Sequence, residues 1–151
     1  MDVNLRQPFN RQEVVEPLLR KAGIVKLNDE ELETISGWFG FAGNLEEKAR
    51  QFYSFLNLQI LLVTKGAHGA MLVNEAEILS HSGIRVEVAD TVGAGDAFLA
   101  GFLAAIMAGK TLQVALDEAS VIGAFVASKP GAIPEYDKKL LSKFSATIAA
   151  V

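Results

Sequence analysis

Short apolar runs divided by polar turns predict the strands of a sheet. The clearest run is Gln59–Thr64, whose Ile-Leu-Leu-Val core is continuously apolar, as in strands that are buried on both faces. Ile24–Leu27 is a second short apolar run, and Ala70–Asn74 and Glu77–His81 predict a following pair of strands. The pattern Val86-x-Val88 indicates one more strand after this pair.

Apolar residues at helical spacing follow Asn10, Asn28 and Asn44, and each asparagine has a Glu three residues later, the spacing of a capping box. These positions predict three helices, and Pro17 delays the regular part of the first one to Glu16. Three more helices are predicted at Ala97–Ala108, Leu112–Ala127 and Asp137–Ala149. Because strands and helices alternate early and helices dominate late, we predict an α/β sheet flanked by helices.

Composition narrows the class of protein. Half of the 151 residues are apolar, which excludes a disordered segment, and the net charge of −4 argues against a nucleic-acid partner. The chain has no cysteine, so it has no disulfide framework, and we expect a cytoplasmic location. The longest apolar stretch, Ala97–Gly109, has 13 residues and is typical of a core helix, so no membrane partner is expected.

The segment Asp90–Asp96, with the sequence Asp-Thr-Val-Gly-Ala-Gly-Asp, carries the strongest chemical signal. Gly93 and Gly95 precede the most apolar predicted helix, and small residues there let backbone N–H groups converge on an anion such as phosphate. Asp96 is then placed to accept a proton from a hydroxyl that approaches this phosphate. A bare Gly-x-Gly is more typical of an ordinary helix start that Asp96 caps.

The whole string, continued by Ala100-Gly101-Phe102, resembles the second signature of the ribokinase-like, or PfkB-type, carbohydrate kinases. The resemblance implies a Rossmann-like three-layer sheet with flanking helices and the ATP-dependent phosphorylation of a sugar's primary hydroxyl, as in fructokinases and 2-keto-3-deoxygluconate kinases. It implies that Asp96 is the catalytic base. It also implies that the amides of Gly93, Ala94 and Gly95 form an anion hole for the transferred phosphoryl group.

Earlier positions match further family elements. Asn28 and Glu31 fit an Asn-x-x-Glu element, which implies that Asn28 lies near the nucleotide phosphates and that Glu31 acts through water on Mg²⁺. The same spacing is that of a helix capping box, and both roles can coexist. Thr64 and Gly66 resemble the family's Thr-x-Gly turn, where the nucleotide lies, and Gly69 belongs to the same turn. A strand-ending turn that needs flexible glycines remains the alternative.

The resemblance assigns weaker roles to four more residues. Arg6, after the strand-like Asp2–Leu5, is a candidate contact for sugar or phosphate, although an exposed strand-end Arg is an equal alternative. Gly123 and Ala127 lie in a region, 121–132, that resembles the adenine wall, but small residues also serve close helix packing. Asp90 is a candidate neighbour of a monovalent cation, K⁺.

The resemblance covers only the later part of a complete kinase. We therefore expect residues 1–151 to be the C-terminal nucleotide-binding and catalytic part of one ribokinase-like domain, lacking the N-terminal strands, the β lid and the sugar-binding acid. The isolated chain is expected to be inactive for lack of the sugar-binding half, and its exposed sheet edge invites homo-oligomers. The alternatives are a non-catalytic nucleotide-binding remnant, a partner-dependent module, or a kinase of a nucleoside or vitamin.

Overall fold

The structure is a computed structural model that describes residues 1–135, 137, 139–142 and 144. The chain divides into two compact units. The first unit consists of Met1–Gly66 with Ala70–Ser80, and the second of Ala67–Gly69 with the chain from His81 onward.

The elements follow the order of an α/β protein. The strands are β1 (Ile24–Asn28), β2 (Ile60–Thr64), β3 (Ala70–Val73) and β4 (Ile78–His81), and a single 3₁₀ turn spans Gly66–His68. The helices are α1 (Gln12–Leu19), α2 (Asp29–Phe39), α3 (Leu45–Leu56), α4 (Ala94–Met107) and α5 (Leu112–Ala127). The predicted α/β class and the predicted places of all four strands are therefore confirmed.

The sheet has the strand order β1-β2-β3-β4. β1 and β2 are parallel, with α2 and α3 as the connection between them, whereas β2 and β3 are antiparallel neighbours joined by a short turn. Asp2 forms an isolated parallel bridge with Lys26 on the other side of β1. The strand-like Asp2–Leu5 thus contributes one bridging residue to this side of the sheet.

The core of the first unit lies between one face of the sheet and the helices α1, α2 and α3. The alternate strand residues that point to this face are buried together with one apolar stripe of each helix, among them Val15, Leu19, Val25, Leu27, Leu32, Ile35, Phe52, Leu61 and Val63. The capping asparagines Asn28 and Asn44 start α2 and α3 at the predicted residues, each with a complete capping box. The first of these boxes includes Asn28, which is also the last residue of β1.

The second unit is built on α4 packed against α5. Phe102 and Leu116 are fully buried between these apolar helices. Gly101 and Gly123 allow the close approach, because a Cβ at Gly101 would lie 2.7 Å from Ile122 Cδ1 and one at Gly123 would lie 3.3 Å from the Ala94 carbonyl oxygen. The predicted bounds of α5 are confirmed.

Three predictions about the elements were wrong in detail. The N-cap residue of α1 is Arg11 and not Asn10, and its side chain makes no capping bond. The helix begins at Gln12, before the predicted Glu16, and contains Pro17 in its interior. α4 begins at Ala94, because Gly93 adopts a left-handed conformation (φ 80°) that turns the chain into the helix three residues early.

The third wrong prediction is the strand at Val86-x-Val88. This segment forms no ladder with any residue that the structure describes.

Of the predicted last helix, Asp137–Ala149, residues 139–142 and 144 are helical. The Leu140 N–H donates a hydrogen bond to Asp137 Oδ1 (2.8 Å) at the start of this stretch. Positions 138, 143 and 145–149 of that prediction lie outside the described residues.

Candidate active site

In the first unit, Asn28 and Thr64 are the last residues of neighbouring parallel strands and are register partners. Ligands of open α/β sheets bind outside the carboxyl ends of the strands. The topology therefore brings together two residues that the sequence predicted for the nucleotide site, and it places both at the expected edge of the sheet.

Asn28 and Glu31 form a capping box at the start of α2. The Glu31 N–H donates to Asn28 Oδ1 (2.7 Å), and the Asn28 N–H donates in return to Glu31 Oε2 (2.9 Å). The other carboxylate oxygen, Oε1, accepts a bond from the Leu5 N–H (3.1 Å). Through this hydrogen bond Glu31 links Leu5 of the N-terminal segment to the start of α2. Each oxygen holds one N–H, which leaves acceptor capacity for water.

The turn after β2 begins with Thr64, which is half-buried, and Gly66, which has a φ of 53° and no atom within 4 Å of an added Cβ. The positive φ favours glycine at position 66, whereas an added Cβ there would meet no neighbouring atom. Open backbone at the carboxyl end of a central strand is compatible with a nucleotide phosphate nearby.

Gly69 serves packing within the second unit. Its φ is 87°, and an added Cβ would lie within 2.7 Å of three backbone atoms: the His81 carbonyl oxygen, the Gly83 nitrogen and the Ser82 carbonyl carbon. Gly83 makes the reciprocal approach to the Ala67 carbonyl oxygen. Gly69 therefore holds the turn against residues 81–83, whatever further role it has.

Asp90 organises the loop that precedes α4. Its Oδ1 accepts a bond from the Val92 N–H (3.0 Å), which closes a local turn, and its Oδ2 accepts one from the Gly131 N–H (3.3 Å). The neighbouring Ala132 carbonyl oxygen would lie 2.5 Å from a Cβ at Gly93. The 128–132 turn is thus packed directly on the glycine that starts α4.

The first turn of α4 presents backbone donors and one carboxylate. The amides of Gly93, Gly95 and Asp96 have no hydrogen-bond acceptor among the described residues, whereas the Ala94 N–H makes a long bond to the Thr91 carbonyl (3.3 Å). The Asp96 side chain is exposed and joins no hydrogen bond or ion pair with another described residue. Unpaired N–H groups at a helix N-terminus attract an anion, because they add to the positive end of the helix dipole.

The second unit contains a cavity of about 710 Å³. It is lined by the segment 83–89, by Ser128 and Lys129 at the end of α5, and by Phe144. The Ala127 carbonyl accepts bonds from the N–H groups of Ala89 (2.9 Å) and Asp90 (3.2 Å), so the same helix end anchors the loop. This volume is in the range of small-molecule sites.

Gly123 and Arg6 have surroundings that also fit the alternatives considered from the sequence. Gly123 is buried and faces Ala94 and Phe98 of α4, which is the close helix packing that the sequence left as the alternative. Arg6 is exposed, and its Nε donates to Asn4 Oδ1 (3.0 Å). The sequence did not single out Ser128, Lys129 and Phe144 individually, because nothing along the chain marks residues that only tertiary packing gathers around one cavity.

The described acidic residues do not cluster into a metal-binding site. Among the described residues, no three His, Cys, Asp or Glu side chains stand close enough to hold a metal ion together. Single carboxylates such as Glu31 fit Mg²⁺ that keeps most of its waters and is bound mainly by phosphates. In the described part of the chain, every helix falls short of the length and apolarity needed to cross a membrane.

An α/β sheet with polar residues at its carboxyl ends, and a separate helix start that offers free amides beside a carboxylate, define a phosphate-handling α/β protein. A family model described as "pfkB family carbohydrate kinase" matches residues 1–139. The chain belongs to this family of phosphotransferases, and the resemblance noted in the sequence is confirmed.

Two relatives illustrate the range of the family. The chain is 31% identical over 124 residues to an ATP-dependent 6-phosphofructokinase of Thermoanaerobacterium thermosaccharolyticum, covering 81% of this chain and 36% of the relative. It is 34% identical over 111 residues to a fructokinase of Rhizobium leguminosarum bv. trifolii, covering 70% of this chain and 32% of the relative. The chain therefore spans about a third of the length of these curated relatives.

Solved structures share the fold. An aminoimidazole riboside kinase from Salmonella enterica, complexed with aminoimidazole riboside and an ATP analogue, has a TM-score of 0.80 and 28% identity over 95% of this chain and 50% of its own. A fructokinase double mutant from Vibrio cholerae O395, in a form bound to fructose, ADP and potassium ion, has a TM-score of 0.78 and 27% identity over 97% of this chain and 49% of its own. The ribokinase-like fold class is thereby confirmed.

Proposed function

We propose that this chain supplies the nucleotide-binding and catalytic part of a fructokinase-like kinase that transfers the γ-phosphoryl group of ATP to a primary hydroxyl of a sugar. The observation that carries the proposal is the first turn of α4, where the exposed Asp96 stands beside free backbone amides. The names of the fructokinase and phosphofructokinase relatives support a sugar substrate. The aminoimidazole riboside kinase keeps a nucleoside as the second candidate substrate.

Asp96 is the proposed base. As the sugar oxygen attacks the γ-phosphorus and the bond to the β-phosphate oxygen breaks, Asp96 accepts the hydroxyl proton and ADP leaves. The amides of Gly93 and Gly95 hold the charge on the transferred phosphoryl group, and the Ala94 amide joins them if its long bond to Thr91 is released. Glu31 is the residue proposed to orient the water shell of Mg²⁺, which when bound would neutralise charge on the phosphates.

Further residues are proposed as nucleotide contacts. Asn28, Thr64 and Gly66 are proposed to line the phosphates, and the cavity bordered by Ser128 and Lys129 is proposed to take the base. Phe144 lines that cavity, and its ring packs edge to face at 5.3 Å against the ring of the buried Phe125. Ala127 contributes through its carbonyl, which anchors the cavity wall, and Gly123 through helix packing.

Further assignments rest on the same family pattern. Asp90 is proposed to stand near a monovalent cation, K⁺, since the named potassium ion of the fructokinase structure supports such a site in the family. Arg6 is proposed as a contact for sugar or phosphate. We also propose a cytoplasmic location and self-association through an exposed sheet edge. A remnant that binds nucleotide without catalysis is the alternative function.

The test is Asp96→Asn in a kinase that contains this chain together with a sugar-binding part. Removing the base should lower kcat at least about 100-fold while the affinity for ATP stays unchanged, as a coupled assay for ADP and calorimetry would measure. Glu46→Gln is the matched control, because Glu46 is an exposed acid in the first turn of α3. Unchanged turnover in Asp96→Asn would exclude the base assignment.

A further inference from the structure

The segment 84–88, with the sequence Ile-Arg-Val-Glu-Val, has the pattern of a strand and no strand partner. None of its backbone N–H or C=O groups takes part in a hydrogen bond with any described residue. Neither do the side chains of Arg85 and Glu87, which are exposed and form no ion pair with a described residue. Unpaired strand-like backbone at a surface is a template for pairing with another chain.

The segment has one edge toward the protein and one edge away from it. The N–H of Ala89 donates to the Ala127 carbonyl at the end of α5 (2.9 Å). In an extended run alternate residues direct their backbone groups to opposite sides, so residues 85 and 87 share the side of Ala89. In the extended conformation that the alternating pattern of residues 84–88 predicts, the backbone groups of Ile84, Val86 and Val88 are on the side opposite to α5.

The charges of residues 84–88 are complementary between two antiparallel copies of this segment. In an antiparallel pair centred on Val86, Arg85 of one copy lies opposite Glu87 of the other, and the two-fold axis repeats the pair. Ile84 lies opposite Val88 in the same way, on the other face. Positions 85 and 87 are the non-hydrogen-bonded pairs of such a ribbon, where opposite side chains are closest.

We propose that residues 84–88 pair, as an antiparallel β-ribbon, with the same residues of a second copy of this chain. Ile84, Val86 and Val88 exchange the backbone bonds, and two Arg85–Glu87 pairs set the register. Val88, which is 56% exposed, gains cover from Ile84 of the other copy. The ribbon is short, so the dimer is weak and forms with rising concentration. This inference places self-association at a segment outside the sheet. Because residues 84–88 also line the cavity proposed for the base, the mass measurement is made without nucleotide and tests the dimer separately from the proposed function.

The test measures the mass of the purified 151-residue chain by sedimentation equilibrium from low to high micromolar concentration. Arg85→Glu places Glu opposite Glu twice, and Glu87→Arg places Arg opposite Arg twice, so each should weaken the dimer at least about tenfold. The double swap Arg85→Glu with Glu87→Arg restores opposite charges and should restore the dimer. Val86→Pro removes the central N–H and should abolish it.

Two controls make the result specific. Lys21→Glu changes the net charge as Arg85→Glu does, at an exposed position outside the segment, and should leave the dimer unchanged. Thermal unfolding should be the same for the charge variants, because the mutated side chains contact no charged partner. A monomeric parent chain, an unaffected Arg85→Glu variant, or a double swap that stays monomeric would each overturn the proposal.

Discussion

Gly69 occupies a position where conformation and packing both exclude a side chain. Its φ is 87°, and the His81 carbonyl oxygen lies within 1.9 Å of the place of a Cβ. The atoms that block this space are backbone, which cannot rotate away as the end of a side chain can. A side chain at position 69 would therefore disturb the packing of residues 67–69 against residues 81–83.

We expect Gly69→Ala to lower the free energy of unfolding by about 2 kcal/mol or more, through the clash and the left-handed backbone. Thermal unfolding followed by circular dichroism would measure the change. Gly37→Ala is the control, because Gly37 lies inside α2 with no atom within 4 Å of an added Cβ. It should be neutral or stabilising, since Ala is the better helix former. Equal behaviour of the two variants would contradict the packing role of Gly69.

At the scale of elements, α2 and α3 begin in the same way. Asn28 and Asn44 each accept a bond from the backbone of a Glu three residues later, and each Glu returns it. Only Asn28 also ends a strand beside Thr64, and only Glu31 reaches a separate segment through Leu5. The two caps are therefore equivalent for stability and different in position.

We expect Asn28→Ala and Asn44→Ala each to cost about 1 kcal/mol of stability, because each removes one side-chain cap. Denaturant unfolding would measure this cost. Titration calorimetry with ATP and Mg²⁺ should show weaker binding for Asn28→Ala and parental binding for Asn44→Ala. If the two variants bind ATP equally well, Asn28 is a cap only and its place in the proposed nucleotide site is wrong.

At the scale of the whole molecule, the chain spans 36% and 32% of two relatives and about half of two solved kinases. Phosphoryl transfer needs the sugar hydroxyl and the nucleotide to be held together in one geometry. The described residues supply a candidate base and phosphate contacts. Arg6 is the single candidate they offer for a sugar, and it is exposed with its Nε bonded to Asn4.

We expect the isolated chain to bind ATP and Mg²⁺ and to release no ADP above background when fructose is added. A coupled assay at high protein concentration would measure release, and calorimetry without sugar would measure binding. Sugar-dependent turnover by this chain alone would contradict the expectation. Absence of nucleotide binding would favour a structural remnant over the proposed kinase part.

The fold was predictable where local signals agreed. The apolar runs placed β1 to β4, and the asparagine caps placed α2 and α3, because strand and cap preferences depend on neighbouring residues. Val86-x-Val88 has the same strand pattern, yet a strand needs a partner, and no described residue supplies one. The start of α4 was missed by three residues, since the φ of Gly93 decides it.

The sequence by itself determined the family and marked the Asp90–Asp96 turn as the candidate site, because these residues are contiguous and their spacing can be read directly along the chain. Only the tertiary structure decided that Glu31 is bonded to Leu5, that Gly69 and Gly123 are packing glycines, and that Ser128 and Lys129 border a cavity. These facts depend on contacts between residues far apart along the chain. Close packing and long-range hydrogen bonds settle such contacts, and neither has a local signal.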